Sequence, residues 1–405
     1  MVITLTLAAL VFLNQTHSNN TDSHFSSPSQ AWAYANGPAA EWDADVAAGK
    51  TPKSHFRPSG VTQERAKTLC PQFALESTSG EELYWLAKLC ESGGAFPKGL
   101  SAAERYLTLP EATHGPDARL ELSILQMRVS QAWETSWPTL RTILQEDPIE
   151  SKAEVLIRTA IEEEADKNEA TALGWSQERY SLLLERENNP KPESPAVPYV
   201  WIFTAGGDLV HRYYLAGEMD KATALVAELN QLKDAHPQEM RGWAADSLYT
   251  ANMEMKPAPQ IPVLKAVGRP VGADLVQKGR VEVVHFMFLR CPPCITDLRY
   301  LDEFEKRYRK ENVLVANLTT YQSALQPDNP PHNSVEAALN KARHKRSPHL
   351  TMAVAPEQTL ADYQITAFPV IAVIDKTGRL RYVGQSRGFD EGEELDRLVR
   401  KLLAE

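Results

Sequence analysis

From Arg280 to Leu289 the chain reads RVEVVHFMFL, with little polar interruption, and Cys291-Pro292-Pro293-Cys294 follows almost at once. A short apolar run rich in β-branched and aromatic residues predicts a strand covered on both faces. Behind the cysteines, Leu298, Leu301, Phe304 and Tyr308 recur at three and four, the spacing of an amphipathic helix. A strand buried on both sides needs a layer above and a layer below. This one junction therefore commits its part of the chain to a layered α/β fold.

The rest of residues 256–405 agrees. Val313 to Leu318 predicts a strand, Ser334 to Arg346 a helix, and Pro369 to Ile374 another strand. Asp375-Lys376-Thr377-Gly378 is a turn, and Arg379 to Gly384 pairs back as a hairpin. Leu395, Leu398, Val399, Leu402 and Leu403 mark a closing helix. Strands alternating with helices, then a hairpin and a last helix, give an α/β sandwich with a mixed sheet.

Upstream the period changes. Residues 61–253 read as an all-α domain of six to nine helices. Helical spacing is clear over Glu81 to Cys90, Ala118 to Trp133, Ser151 to Asp166 and Trp175 to Arg186, and a proline-rich breaker follows Asn188. Tyr214-Leu-Ala-Gly217 followed by Ala222 and Leu225 resembles the tetratricopeptide (TPR) pattern; a plain helical hairpin fits equally. Residues 31–60, rich in Ser, Pro, Gly and Ala, read as a poorly ordered arm. Within residues 1–30 the uncharged run Val2 to Leu13 has the length of a signal-peptide core, although no basic residue precedes it. It implies export with a cleaved leader or a retained membrane anchor; the alternative is the start of a buried helix.

The formal net charge of −10 argues against nucleic acid as partner, and the basic run Lys341 to Arg346 reads as a solvated helix face. Four cysteines, Cys70, Cys90, Cys291 and Cys294, are too few for a disulfide scaffold in 405 residues. A structural zinc site needs a second pair of ligands at recognisable spacing, which is missing, so no metal is expected.

The Cys-Pro-Pro-Cys pair carries the chemistry. A thiol attacks a disulfide as thiolate, and an ordinary cysteine is mostly protonated at neutral pH. A strand–turn–helix places Cys291 at a helix N-terminus, where unpaired N–H groups and the helix dipole stabilise negative charge. Pro293 is tolerated in the first turn because its missing N–H costs nothing there. Cys291, exposed, is the expected attacking thiolate; Cys294, more buried and one turn on, resolves the mixed disulfide. No cofactor beyond this redox-active disulfide is required. Cys70 and Cys90 read as a structural disulfide tying two helices if the chain is exported, or else as two buried thiols.

Val281 to Cys294 resembles the active-site segment of thioredoxin-like proteins. The lead-in Lys256-Pro-Ala-Pro, then Gly268-Arg-Pro-Val271 and Gly279-Arg-Val281, resembles the extracytoplasmic TlpA/ResA-type branch. Thr366-Ala367-Phe368-Pro369-Val370 resembles that family's cis-proline loop, and Ile374 to Gly378 its hairpin. The resemblance covers residues 256–405 only. It implies a cis bond between Phe368 and Pro369, in a loop (Thr366, Ala367, Phe368) that offers backbone groups to a bound partner strand.

Three positions depart from the pattern. Arg290 stands where the family commonly has Trp; a guanidinium there favours the thiolate, unless it points to solvent. His285 stands where a buried Asp or Asn is usual, either shuttling the Cys294 proton or filling the core as a neutral ring. Asp297 matches a position usually Glu, a base for a thiol proton or simply an acid favoured in the first helical turn.

By resemblance the chain is a protein-disulfide oxidoreductase of the bacterial periplasm or cell envelope, acting as a reductant. Its partners would be protein thiols and disulfides, with an upstream thiol as electron donor. The alternative is an interaction protein in which the helical array does the work and the thioredoxin-like domain is a redox-regulated switch.

Overall fold

The computed structural model describes residues 24–52, 57–110, 112–146, 151–189, 197–240, 242–288, 291–321, 332–365, 367–385 and 393–405. The run Val2 to Leu13 lies outside them. Among the described residues no helix is long and apolar enough to cross a membrane. The chain forms two compact units, residues 1–139 and 140–405, and the division falls inside a helix. The junction read near residues 253–256 is thus internal to the second unit.

The first unit contains α1 (Pro28–Ala47), α2 (Ser59–Leu69), α3 (Glu82–Ser92), α4 (Phe96–Leu107), α5 (Gly115–Ser130) and the start of α6 (Trp133–Glu146). Helix α1 corrects the poorly ordered arm expected over residues 31–60 for its first part, residues 31–47. The Ser27 side chain accepts the N–H of Gln30, Pro28 opens the first turn, and Ala31, Ala35 and Ala39, four apart, are fully buried. Small side chains at that spacing let α1 lie close to its neighbours, so composition that looks linker-like instead lines a core. Cys70 and Cys90 are bonded, with Cα atoms 5.1 Å apart, and join the end of α2 to α3. They sit among Ala66, Leu69, Leu86 and Leu89.

The second unit begins with α7 (Ser151–Lys167), α8 (Glu169–Asn188), α9 (Tyr199–Ala216), α10 (Met219–Ala235) and α11 (Trp243–Met253). Among the described residues, 59–253 thus hold ten α-helices, more than the six to nine read from periodicity. Helix α9 is the hub, packing on α8, α10 and α11. At its centre, a Cβ on Gly206 would come within 2.6 Å of Leu229, so glycine is what lets α10 approach. Gly217, at φ 77°, ends α9, and Ala222 and Leu225 of α10 are buried. The TPR-like segment is therefore a helical hairpin.

Among the described residues six strands follow: β1 (Lys265–Val267), β2 (Val281–Phe286), β3 (Val313–Thr320), β4 (Thr351–Ala355), β5 (Val370–Ile374) and β6 (Leu380–Gln385). The sheet order is β1-β4-β3-β2-β5-β6. Strands β2, β3 and β4 run parallel; β1, β5 and β6 pair antiparallel to their neighbours. Between and after the strands lie α12 (Pro292–Tyr308), α13 (His332–Arg346), α14 (Gln358–Asp362) and α15 (Glu393–Ala404). This is the thioredoxin-like sandwich. Every residue of β2 is buried, as its apolar run requires. Alternation sends Val281 and Val283 to the core shared with α12 and α15, and Val284 and Phe286 to the opposite core with Leu275 and Tyr363.

The edge strand β6 is covered from within the same unit. Thr250 Oγ1 of α11 donates to the carbonyl of Val383 at 2.6 Å, and Met255 N–H to that of Leu380 at 2.7 Å. Arg397 of α15 pairs with Asp166 of α7. Helix contacts of this kind protect an edge that would otherwise template foreign strands.

Candidate functional site: a dithiol at a helix N-terminus

Strand β2 delivers the chain to the end of the sheet, and Cys291 becomes the N-cap residue of α12, with extended backbone at φ −82°, ψ 110°. Its sulfur accepts the backbone N–H of Cys294 at 3.1 Å. Pro292 and Pro293 fill the first turn and are exposed. Both prolines lack N–H groups, so the Cys294 amide is the first of the helix's unpaired donors that can reach the sulfur. Cys291 and Cys294 are bonded to each other, with Cα atoms 5.2 Å apart.

The expected exposure of Cys291 needs correcting. It is 3% exposed and Cys294 fully buried. Both sulfurs belong to the core between sheet and helix, and the flanking Phe288, Tyr321 and Phe368 pack against that core.

The register explains how the proline loop reaches the dithiol. Phe286 pairs with Val370 across β2 and β5, so Pro369, one residue earlier, lies level with the start of the active-site loop. The Phe368–Pro369 bond is cis. The Phe368 ring meets Phe288 edge to face, with centroids 5.4 Å apart. Pro369 is buried, Phe368 half-buried and Ala367 exposed. Thr366 and Arg290 lie outside the described residues.

Beneath the dithiol is a buried polar group. His285, fully buried, shares the alternation of Val281 and Val283 and so faces α12. Its Nδ1 is 2.8 Å from Oδ1 of Asn317, the residue opposite it on β3. Its Nε2 makes no hydrogen bond and is 3.4 Å from Asp297 Oδ2. With the Asn317 carbonyl as acceptor, Nδ1 carries a proton and Nε2 is left to face the carboxylate. Asp297 follows Cys294 by three residues, on the same helix face. Sequence reading picked out His285 and Asp297 separately and missed Asn317. The available signal was one amide within the buried strand VLVANLTT. Among the described residues no cluster of His, Cys, Asp or Glu could hold a metal ion.

Such a site can hold a sulfur anion, pass it to a neighbouring sulfur, and keep a proton-binding pair close to the second thiol. Several solved structures are similar to the C-terminal part. A thioredoxin-like superfamily protein is 24% identical, covering 37% of this chain and 97% of its own, at a TM-score of 0.31. A thiol-disulfide isomerase from Corynebacterium glutamicum is 22% identical over 37% and 97%, also at 0.31. The thioredoxin domain of a thiol-disulfide oxidoreductase from Bacteroides vulgatus is 20% identical over 36% and 97%, at 0.28. No curated protein matches the chain. Residues 252–397 match the Redoxin family model, and with the sheet order and the dithiol junction this identifies the C-terminal part of the chain as a thioredoxin-like redoxin domain.

Proposed function

We propose that the chain is a thiol–disulfide oxidoreductase that reduces disulfides of partner proteins through Cys291 and Cys294. The observation that carries this reading is the Cys291 sulfur at the N-cap of α12, accepting the Cys294 amide and bonded to the Cys294 sulfur. In the reduced protein the same amide and helix dipole stabilise the Cys291 thiolate. That thiolate attacks one sulfur of a partner disulfide; the partner's other sulfur leaves as thiolate and takes a proton. Cys294 then gives its proton to the His285–Asp297 pair and attacks the Cys291 sulfur. The partner leaves with both sulfurs reduced, and the intramolecular disulfide remains. An upstream dithiol returns two electrons and two protons.

In this mechanism Asn317 holds the His285 ring so that Nε2 meets Asp297. Phe288 and Phe368, which pack against the core that holds both sulfurs, and the neighbouring Ala367 would receive the partner strand. Arg290 would add to the thiolate's stability. A Cys70–Cys90 bond and the apolar run Val2 to Leu13 support a location outside the cytoplasm, with that run as leader or anchor.

The test is reduction of a model protein disulfide by the full chain, with Cys291→Ser as control. Turnover lost in the variant supports the reading; equal turnover, or none in either protein, overturns it. The Cys291–Cys294 potential sets the direction: near about −270 mV the protein is a reductant, near about −120 mV an oxidant.

A further inference from the structure

Two of the motifs noted in the sequence, Gly268-Arg269-Pro270 and Gly279-Arg280-Val281, play no part in the dithiol. In the fold they meet. Arg269, Pro270 and Arg280 line a cleft of about 340 Å³ together with Arg309, Lys310, Asn312, Val313 and Leu314. Val313 begins β3, which runs parallel to β2 from Val281. The cleft is therefore at the end of the sheet opposite Cys291, roughly 20 Å along the strands.

The charges in it are ordered. Arg269 and Arg309 both contact Glu305, which is 1% exposed; Arg309 Nε is 3.7 Å from its Oε1. Arg280 Nε donates to Glu282 Oε1 at 2.8 Å, and Glu282 is fully buried. The carboxylates thus stand behind the cleft, whereas Arg269 and Arg309 keep over two-fifths of their side chains exposed. Lys310, exposed, makes no ion pair among the described residues. Four cations against two buried carboxyl groups leave an excess of at least two positive charges, in a chain whose net charge is −10.

Guanidiniums already held by buried carboxylates lose little freedom on binding, which raises affinity for a ligand that fits. Their planar forks match the oxygens of a phosphate group. A concave volume of this size suits a small molecule, whereas a protein partner needs about 800 Å² per side. We propose that this cleft binds a phosphate group, carried by a small phosphorylated molecule or by a lipid headgroup, at a site separate from the dithiol.

Calorimetric titration of the full chain with inorganic phosphate, at low ionic strength and against a chloride control, tests it. Flotation with phosphatidylcholine vesicles, with and without phosphatidic acid, forms the second arm. The expected result is saturable binding of one phosphate, weakened about tenfold by Lys310→Gln and again by Arg309→Gln. Thermal unfolding and disulfide exchange should stay at the parent level in Lys310→Gln, which removes no ion pair among the described residues and decides the question even if Arg309→Gln misfolds. Phosphate bound without any vesicle response assigns the site to soluble ligands. Vesicle binding that needs phosphatidic acid and is lost in Lys310→Gln assigns it to headgroups. Absence of both, a response no different from chloride, or binding indifferent to Lys310→Gln overturns the proposal.

Discussion

The two disulfides of this chain share a bond and little else. Cys70–Cys90 spans 20 residues and joins two helices inside a core of alanine and leucine. Cys291–Cys294 spans three, sits in the first turn of one helix, and has His285, Asn317 and Asp297 beneath it. Burial does not separate them, since all four cysteines are at most 3% exposed. What separates them is the reduced state each site would accept. At Cys291 an amide and a helix N-terminus stand ready for a sulfur anion. Around Cys70 and Cys90 the core side chains are apolar, and the nearby Lys98 ammonium donates to the Cys70 and Phe73 carbonyls. The first bond removes conformations from the unfolded chain; in the proposed mechanism the second is where bonds are exchanged.

The sharpest way to break that contrast is to remove each bond in turn. Cys291→Ser should lower turnover of a protein disulfide by about three orders of magnitude or more, because no other nucleophile occupies the N-cap. Cys70→Ala with Cys90→Ala should leave turnover at the parent level. It should cost the first unit about 3 kcal/mol of stability, the loop-closure value for a bridge of this span. Native-state hydrogen exchange in α2 and α3 reads that loss directly. If the double variant stops turnover without unfolding the first unit, the two bonds are not independent and the contrast fails.

A third measurement asks whether the redox sheet has an electrostatic signature of its own. Burial pushes the Glu282 carboxyl up from 4.5 to about 7, against the pull of Arg280. A carboxyl raised in the folded state holds its proton there after the unfolded chain has lost it. Its contribution is therefore fully present below the unfolded value and declines as pH rises, being gone above about 7. Between pH 4.5 and about 7 the second unit should lose up to about 3 kcal/mol from this group. Glu282→Gln should flatten that slope in urea unfolding while leaving the helices of residues 28–139 unchanged. An unaltered slope would mean that Arg280 keeps the carboxylate charged throughout.

The difference between the regions also governs what could be read in advance. The dithiol junction was legible because each of its parts has a local cause: an apolar strand, two prolines at a helix start, and apolar residues at helical spacing. Strand β1 went unread at three residues, too short to show a period. Strand β4, TMAVA, is buried throughout like β2, but at five residues with two alanines its apolar run is too short and weak to stand out. Helix α1 was hidden by composition, since its stripe of alanines carries little hydrophobic contrast, yet fits a tightly packed core. Asn317 showed only as one amide in a buried strand, and its partner emerges only with the register of β2 on β3, which sets it opposite His285 across 32 residues of sequence.

That pairing gives the smallest effect and the closest test of how the two disulfides differ. If the His285–Asp297 pair takes the Cys294 proton, Asn317→Leu should slow resolution of a mixed disulfide by about tenfold, because the ring can then turn its unprotonated nitrogen away from Asp297. Formation of the mixed disulfide, which depends on Cys291 alone, should keep its rate. A structural role would lower stability and slow both steps together. The imidazole nitrogen shifts of His285 decide between them: the parent should show Nδ1 protonated, and Asn317→Leu a mixture of tautomers. An unchanged resolution rate with a changed tautomer would sever His285 from the proton and leave the helix N-terminus as the whole of what distinguishes Cys291–Cys294 from Cys70–Cys90.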